Sequence, residues 1–209
     1  PMLRCGAAYV DLTSAEPEDM LEVATAYTVK NVFFLDGTAL GSFRTNGKSV
    51  PFVLSGKDAD AWAQWMNERG FNVRSVVGEA GLASTIKLLR TVMTKGIQAM
   101  AIECFAAAEK LGLREAMADA FADYDARPFA ECIEDQACSH VLHYERRSAE
   151  VEKALHLLED LGIDPIMTQA SSTFYRRSIE VAPQCDPEKA KSWSMVMPVL
   201  LQITQKHTV

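Results

Sequence analysis

The sequence predicts an α/β layer followed by an all-helical region. Two observations carry this reading. Over the first 80 residues, short apolar runs of strand type alternate with helical stretches of about ten residues. From about Gly81 onward almost no β-like alternation remains. A boundary is therefore expected near Gly78 to Gly81, with an α/β region over 1–80 and a helical region over 81–209.

Ala7-Ala8-Tyr9-Val10-Asp11-Leu12 is a compact apolar run closed by polar Thr13-Ser14, the pattern of a buried strand and its loop. Thr13 or Ser14 is placed to cap the next helix, whose first turn holds Pro17, with Glu16, Glu18 and Asp19 at its positive end. Further strands are expected over Asn31–Asp36, Val50–Gly56 and Asn72–Gly78. Between the last two, Ala59–Glu68 is a short amphipathic helix with Trp62, Trp65 and Met66 on one side.

Ser84 to Lys110 reads as one long helix stopped by Gly112, about 40 Å long at about 1.5 Å per residue. Its apolar residues, among them Leu88, Leu89, Val92, Met93, Met100, Ile102 and Phe105, cover most of the circumference. Such a helix is expected to be buried, at the centre of a helical domain or at a subunit interface. Helices are then expected over Leu113–Tyr124, Pro128–His143, Arg146–Leu161, Pro165–Ile179 and Pro187–Gln205, the last with Asp186 as N-cap. Met93, Met100, Trp193, Met195 and Met197 are expected to serve packing alone.

The net charge is −7, from 21 basic and 28 acidic residues, and no basic run exceeds two residues. A nucleic-acid partner is not expected, because phosphate binding needs a dense Lys/Arg face. Cys5, Cys104, Cys132, Cys138 and Cys185 form no CxxC pair and match no common zinc spacing, so they read as reduced thiols of a cytoplasmic protein, with no metal. No apolar run approaches a membrane span.

The segment most suggestive of chemistry is Gly78-Glu79-Ala80-Gly81-Leu82-Ala83-Ser84-Thr85-Ile86-Lys87-Leu88-Leu89-Arg90-Thr91. Small residues lead into the long helix, and one lysine lies near its start. The positive end of a helix dipole disfavours an ammonium, which tilts Lys87 toward the acid/base range useful in catalysis. The plain alternative is a surface lysine whose stem covers apolar neighbours.

This segment resembles the catalytic motif GxxGxGxxxKxxxN of the β-hydroxyacid dehydrogenase superfamily, which includes 3-hydroxyisobutyrate and 6-phosphogluconate dehydrogenases. It is similar above all to the phosphogluconate-dehydrogenase-like branch, through Ala83-Ser84, Lys87, Arg90 and Lys95-Gly96. The resemblance makes Lys87 the catalytic lysine. The family's asparagine is Thr91 here, a substrate-binding candidate that keeps a hydroxyl and loses an amide. The family's substrate loop D-x-x-V-S-G-G corresponds to Asp36-Gly37-Thr38-Ala39-Leu40-Gly41-Ser42, which implies substrate binding at Gly41 and Ser42. Asp11-Leu12-Thr13-Ser14 matches the family's D-x-(S/N)-(S/T) run, which implies Ser14 beside substrate and Thr13 beside cofactor. The late KDL-x-x-A motif is absent as such. Its lysine and aspartate positions are Ala149 and Glu150, and Arg146 lies one turn earlier, so Glu150 and Arg146 are cofactor-binding candidates.

The resemblance implies a partial Rossmann-like, doubly wound domain followed by a helical dimerisation domain. It implies NAD or NADP as cofactor, a small hydroxy acid as substrate and a homodimer. A dinucleotide site of this class needs G-x-G-x-x-G to bring backbone against the pyrophosphate. The chain has 11 glycines and no G-x-G, and it begins with Pro1, so it enters the family pattern midway through the Rossmann domain. As a fragment it is expected to be inactive. The rival readings are a truncated, non-catalytic helical dimerisation module and an imine-reductase-like enzyme. Lys87 weighs against the second, because imine reductases generally lack that lysine.

Overall fold

The computed structural model describes residues 3–29, 31–182 and 192–205. The chain forms two compact units, Pro1–Lys95 and Gly96–Val209.

The first unit is built in the order β1 (Ala8–Asp11), α1 (Pro17–Thr28), β2 (Phe33–Ala39), α2 (Phe43–Asn46), β3 (Pro51–Ser55), α3 (Ala59–Asn67) and β4 (Asn72–Ser75). The strands lie in the order β1-β2-β3-β4. β1 and β2 pair in parallel, as do β3 and β4, whereas β2 and β3 are antiparallel. The connections explain this mixture. α1 and α3 each carry the chain back to its starting end, which a parallel neighbour requires. Between β2 and β3 only α2 and a 3-10 turn intervene, and the chain simply reverses.

Alternation along β2 sends its side chains to two faces. Leu35 packs with Val50, Phe52, Leu54, Ala59, Ala63 and Val73, under Trp62 and Met66 of α3. Phe34 packs with Met20 of α1 and Ala80. Tyr9, Tyr27 and Phe34 stack on one another with ring centroids 5.4 to 5.9 Å apart. β2 runs three residues beyond the expected Asp36. Gly37 lies inside this strand because a Cβ there would stand 2.8 Å from Leu12 and 3.0 Å from Leu54 and Val10. Its glycine serves close packing; it does not mark a turn.

α4 (Leu82–Lys110) is the long expected helix. Of the two expected settings, the centre of a helical domain does not hold. Ala83, Ser84, Ala107 and Ala108 are buried, but Val92 is 75% exposed, Leu89 66% and Ile102 64%. Within one chain, α4 is covered near its ends only. Met93 and Met100 stand on this open surface, and Trp193 and Met195 are similarly exposed, so none of the four is core.

The second unit holds the end of α4, α5 (Arg114–Asp119), α6 (Ala122–Asp125), α7 (Phe129–Asp160), α8 (Ile166–Val181) and α9 (Trp193–Thr204). The two helices expected over Pro128–His143 and Arg146–Leu161 are one, because no glycine or proline separates them. The single helix expected over Leu113–Tyr124 is two. Asp186 and Pro187, the expected start of the last helix, lie outside the described residues, as does Cys185. α7 and α9 meet through Val141 and Val196, flanked by Cys138, Val199 and Leu200. Two distant side chains finish helix ends here. Glu103 accepts from the amides of Met167 (2.6 Å) and Thr168 (3.0 Å) at the start of α8. Lys110 Nζ donates to the Leu161 carbonyl at the end of α7 (2.7 Å).

Cys5, Cys104, Cys132 and Cys138 are free thiols. Among the described residues no helix is long and apolar enough to cross a membrane, and no cluster of His, Cys, Asp and Glu could hold a metal ion.

Candidate active site

The site is built on the first turn of α4. Four backbone N–H groups at a helix start have no partner within the helix. Here the sheet supplies acceptors. Asp36 Oδ2 accepts from the amides of Gly81 and Ser84, each at 2.9 Å, and Asp36 Oδ1 accepts from Ser84 Oγ at 2.8 Å. Ser55 lies directly across from Asp36 in the β2–β3 pair. Its Oγ donates to Asp36 Oδ2 (3.1 Å) and accepts from the amide of Ala83 (3.0 Å). Asp36 and Ser55 are fully buried.

One turn further along α4 stands Lys87, half-buried. Its Nζ donates to Ser14 Oγ at 2.5 Å, across 73 residues of sequence. Ser14 follows the carboxyl end of β1, and Gly41 and Ser42 follow the carboxyl end of the parallel β2. This is the edge at which open α/β sheets bind ligands. The hydroxyl–amine contact between two motifs far apart in sequence is the main geometric feature of the site. Ser14 is not a helix cap: α1 starts at Pro17 with Glu16 before it and no side-chain cap. Thr13 is exposed, and its amide donates to Asp11 Oδ1 at 2.8 Å, an Asx turn that shapes the loop holding Ser14.

The remaining candidates are placed differently. Thr91 is exposed, and its hydroxyl donates to the Lys87 carbonyl at 2.8 Å. Gly41 and Ser42 are exposed, Ser42 directly before α2. Arg146 and Glu150 belong to the second unit, on the surface of α7, where they form an ion pair at 2.5 Å one turn apart. Each satisfies the other's charge.

The second unit has its own cavity of about 730 Å³, lined by His140, Arg147, Glu150, Phe174, Tyr175 and Leu200 among others. His140 is buried, and its Nε2 lies 2.9 Å from Ser178 Oγ. Burial, and secondarily the charge of Arg147, hold this imidazole below the usual histidine range. Arg147 itself donates to the Gln136 carbonyl and to Ser139 Oγ.

Sequence reasoning missed Ser55, had Ser84 in a motif without a role for it, and gave Asp36 to a substrate loop. One signal was available: a lone acidic residue embedded in a strand-like apolar run requires a donor set.

No protein-family model matches the chain. An uncharacterized 28.5 kDa protein from Methanothermus fervidus is 23% identical over 168 residues, 80% of this chain and 64% of that protein. A solved conserved protein of unknown function, reported to resemble 3-hydroxyacid dehydrogenases, is 28% identical with a TM-score of 0.50, over 84% of this chain and 66% of that one. The chain thus spans slightly less than two thirds of these relatives' length. An imine reductase variant from Myxococcus stipitatus, solved with NAD+, superposes with a TM-score of 0.73 at 17% identity, over 95% of this chain and 73% of that one. The same organism's enzyme solved with NADP+ gives 0.71 at 16% identity, over 92% and 73%. The α/β sheet followed by helices is the hydroxyacid dehydrogenase fold, which the chain shares with these solved structures.

Proposed function

We propose that this chain is the substrate-side portion of an NAD(P)-dependent oxidoreductase that interconverts a small hydroxy acid and its keto or aldehyde partner. The observation that carries this reading is the 2.5 Å contact between Lys87 Nζ and Ser14 Oγ at the carboxyl edge of the parallel strands. The shared fold of imine reductases solved with NAD+ and with NADP+ supports a nicotinamide cofactor. When bound, that cofactor supplies the hydride. The residues described here do not build its pyrophosphate cradle, because the chain contains no G-x-G.

What these residues offer is proton chemistry. In carbonyl reduction the Lys87 ammonium donates a proton to the oxygen as negative charge develops on it. In alcohol oxidation the neutral amine takes the hydroxyl proton. Ser14 accepts from Lys87 and retains its own O–H to donate to a substrate oxygen. Gly41 and Ser42, exposed in the loop after β2, would offer backbone N–H groups to a substrate carboxylate. Thr13 contributes through the loop that holds Ser14. Thr91, Arg146 and Glu150 are engaged with other partners, and their proposed roles in substrate and cofactor binding require those bonds to exchange. The open apolar surface of α4 supports a second copy of the chain as partner.

The test is Lys87→Ala in the full-length protein, assayed over a panel of small hydroxy acids with NAD+ and NADP+. Loss of a general acid/base costs about 10²- to 10⁴-fold in rate. A loss below tenfold would overturn the role of Lys87. The imine-reductase reading is favoured by the superposition on imine reductases, and a cyclic imine in the same panel decides it. Turnover of the imine that survives Lys87→Ala would select imine reduction.

A further inference from the structure

We propose that Asp36 is the positioning residue for Lys87: its buried carboxylate seats the first turn of α4 and so fixes where the lysine amine meets Ser14. This rests on the reading of Lys87 as the proton-transfer group, and it assigns Asp36 a role other than substrate binding.

The carboxylate is fully enclosed and accepts four hydrogen bonds, from Ser55 Oγ, Gly81 N, Ser84 N and Ser84 Oγ. Four is about the acceptor capacity of an ionised carboxylate, so Asp36 has no lone pair left for a substrate. No salt bridge to Asp36 exists among the described residues; its neighbours are amides and hydroxyls. The negative charge therefore lies against the positive end of α4, which is where a helix favours an anion. Substrate contact from a group so enclosed would require opening the sheet–helix interface.

The frame around the lysine closes on itself. Ser84 stands three residues before Lys87, on the adjoining turn and the same face. Gly81 has a φ of +104°, and a Cβ there would stand 2.6 Å from the Pro17 carbonyl oxygen. The start of α4 is thus pressed against the first turn of α1. α1 in turn follows the loop that carries Ser14. Both partners of the Lys87–Ser14 bond are held to one frame, and Asp36 is its charged anchor. Displacement of the α4 start by about 1 Å would lengthen that bond beyond hydrogen-bonding range, and misplacement of that size is enough to cost about 10²-fold in rate.

The test reads the lysine directly and needs no activity. The protein is exposed to a small amine-acylating reagent, and modification of each lysine is timed by peptide mass spectrometry. Lys57 and Lys110 serve as internal references. Ser14→Ala defines the rate for a Lys87 freed from its partner. Asp36→Asn and Ser84→Ala are expected to raise Lys87 labelling at least threefold, toward that rate, with Lys57 and Lys110 unchanged. Ser84→Thr, which restores a hydroxyl, is expected to return labelling toward the native value. Should Asp36→Asn fail to fold, Ser84→Ala and Ser84→Thr carry the test. Native labelling of Lys87 in a folded Ser84→Ala protein, or an equal rise at all three lysines, would overturn the proposal. In the full-length enzyme, Ser84→Ala should lower kcat with KM little changed. Failure of every substrate assay together with the expected labelling pattern would sink the dehydrogenase reading and leave the positioning of Lys87 standing.

Discussion

At the residue scale, the site was half legible. Lys87 and Ser14 could be named from sequence because each sits in a short motif. Their meeting could not, since 73 residues separate them and only the sheet brings them together. Asp36 was visible, but the family motif put it in a loop, whereas it lies inside β2, and Gly37 beside it is small because Leu12, Leu54 and Val10 crowd it. Thr38 shares the Asp36 face of β2, being two residues along the strand. It is almost wholly buried, and among the described residues its Oγ1 has no hydrogen-bond partner. A buried hydroxyl without a partner costs about 1–3 kcal/mol. Thr38→Val should therefore raise stability by roughly 1 kcal/mol, read as a shift of the urea midpoint at unchanged m-value. A lower midpoint would mean that an ordered water or another group serves the hydroxyl.

At the element scale, the strands and most helices were readable because apolar periodicity reports them directly. Helix ends were not, since the groups that finish them come from elsewhere in the chain. α4 is capped by β2 and β3, and α8 by Glu103, 64 residues before Met167. No local Ser/Thr/Asp box marks either start. The continuity of α7 was misjudged for another reason: Tyr144 and Glu145, left between the two expected helices, include no glycine or proline to break them. Glu103→Ala removes the acceptor for two α8 amides and the Thr168 hydroxyl. It should destabilise the protein by about 1–3 kcal/mol, measured by denaturant unfolding. Glu103→Gln should recover part of the loss, because its amide oxygen still accepts. A change under about 0.5 kcal/mol in both variants would mean that α8 is held by packing alone.

At the scale of the whole molecule, two further properties follow. The first concerns pH. Burial and Arg147 hold His140 below its ordinary value of 6.5 in the folded protein. The unfolded chain then takes up the proton first. Above pH 6.5 neither state is protonated and His140 has no effect; as pH falls through 6.5 stability is lost, at up to about 1.4 kcal/mol per pH unit for one proton. Unfolding midpoints between pH 7.5 and 5.5 should therefore decline more steeply in the native protein than in His140→Gln, and equal slopes would refute the assignment. The second concerns association. The sequence announced a helix apolar on nearly every side, and one chain leaves most of that surface open along Leu88, Leu89, Val92, Met93, Ile102 and Phe105. Burial of one such side chain yields about 1.5–3 kcal/mol. A two-fold partner would apply the same helix twice, so that each favourable contact is doubled. Sedimentation equilibrium should give twice the protomer mass at micromolar concentration. Val92→Asp places an unpaired charge on both sides of such an interface and should yield monomers with unchanged helical circular dichroism. A native protein that is monomeric at tens of micromolar, or a Val92→Asp variant that stays dimeric, would mean that α4 is covered by something other than a second copy.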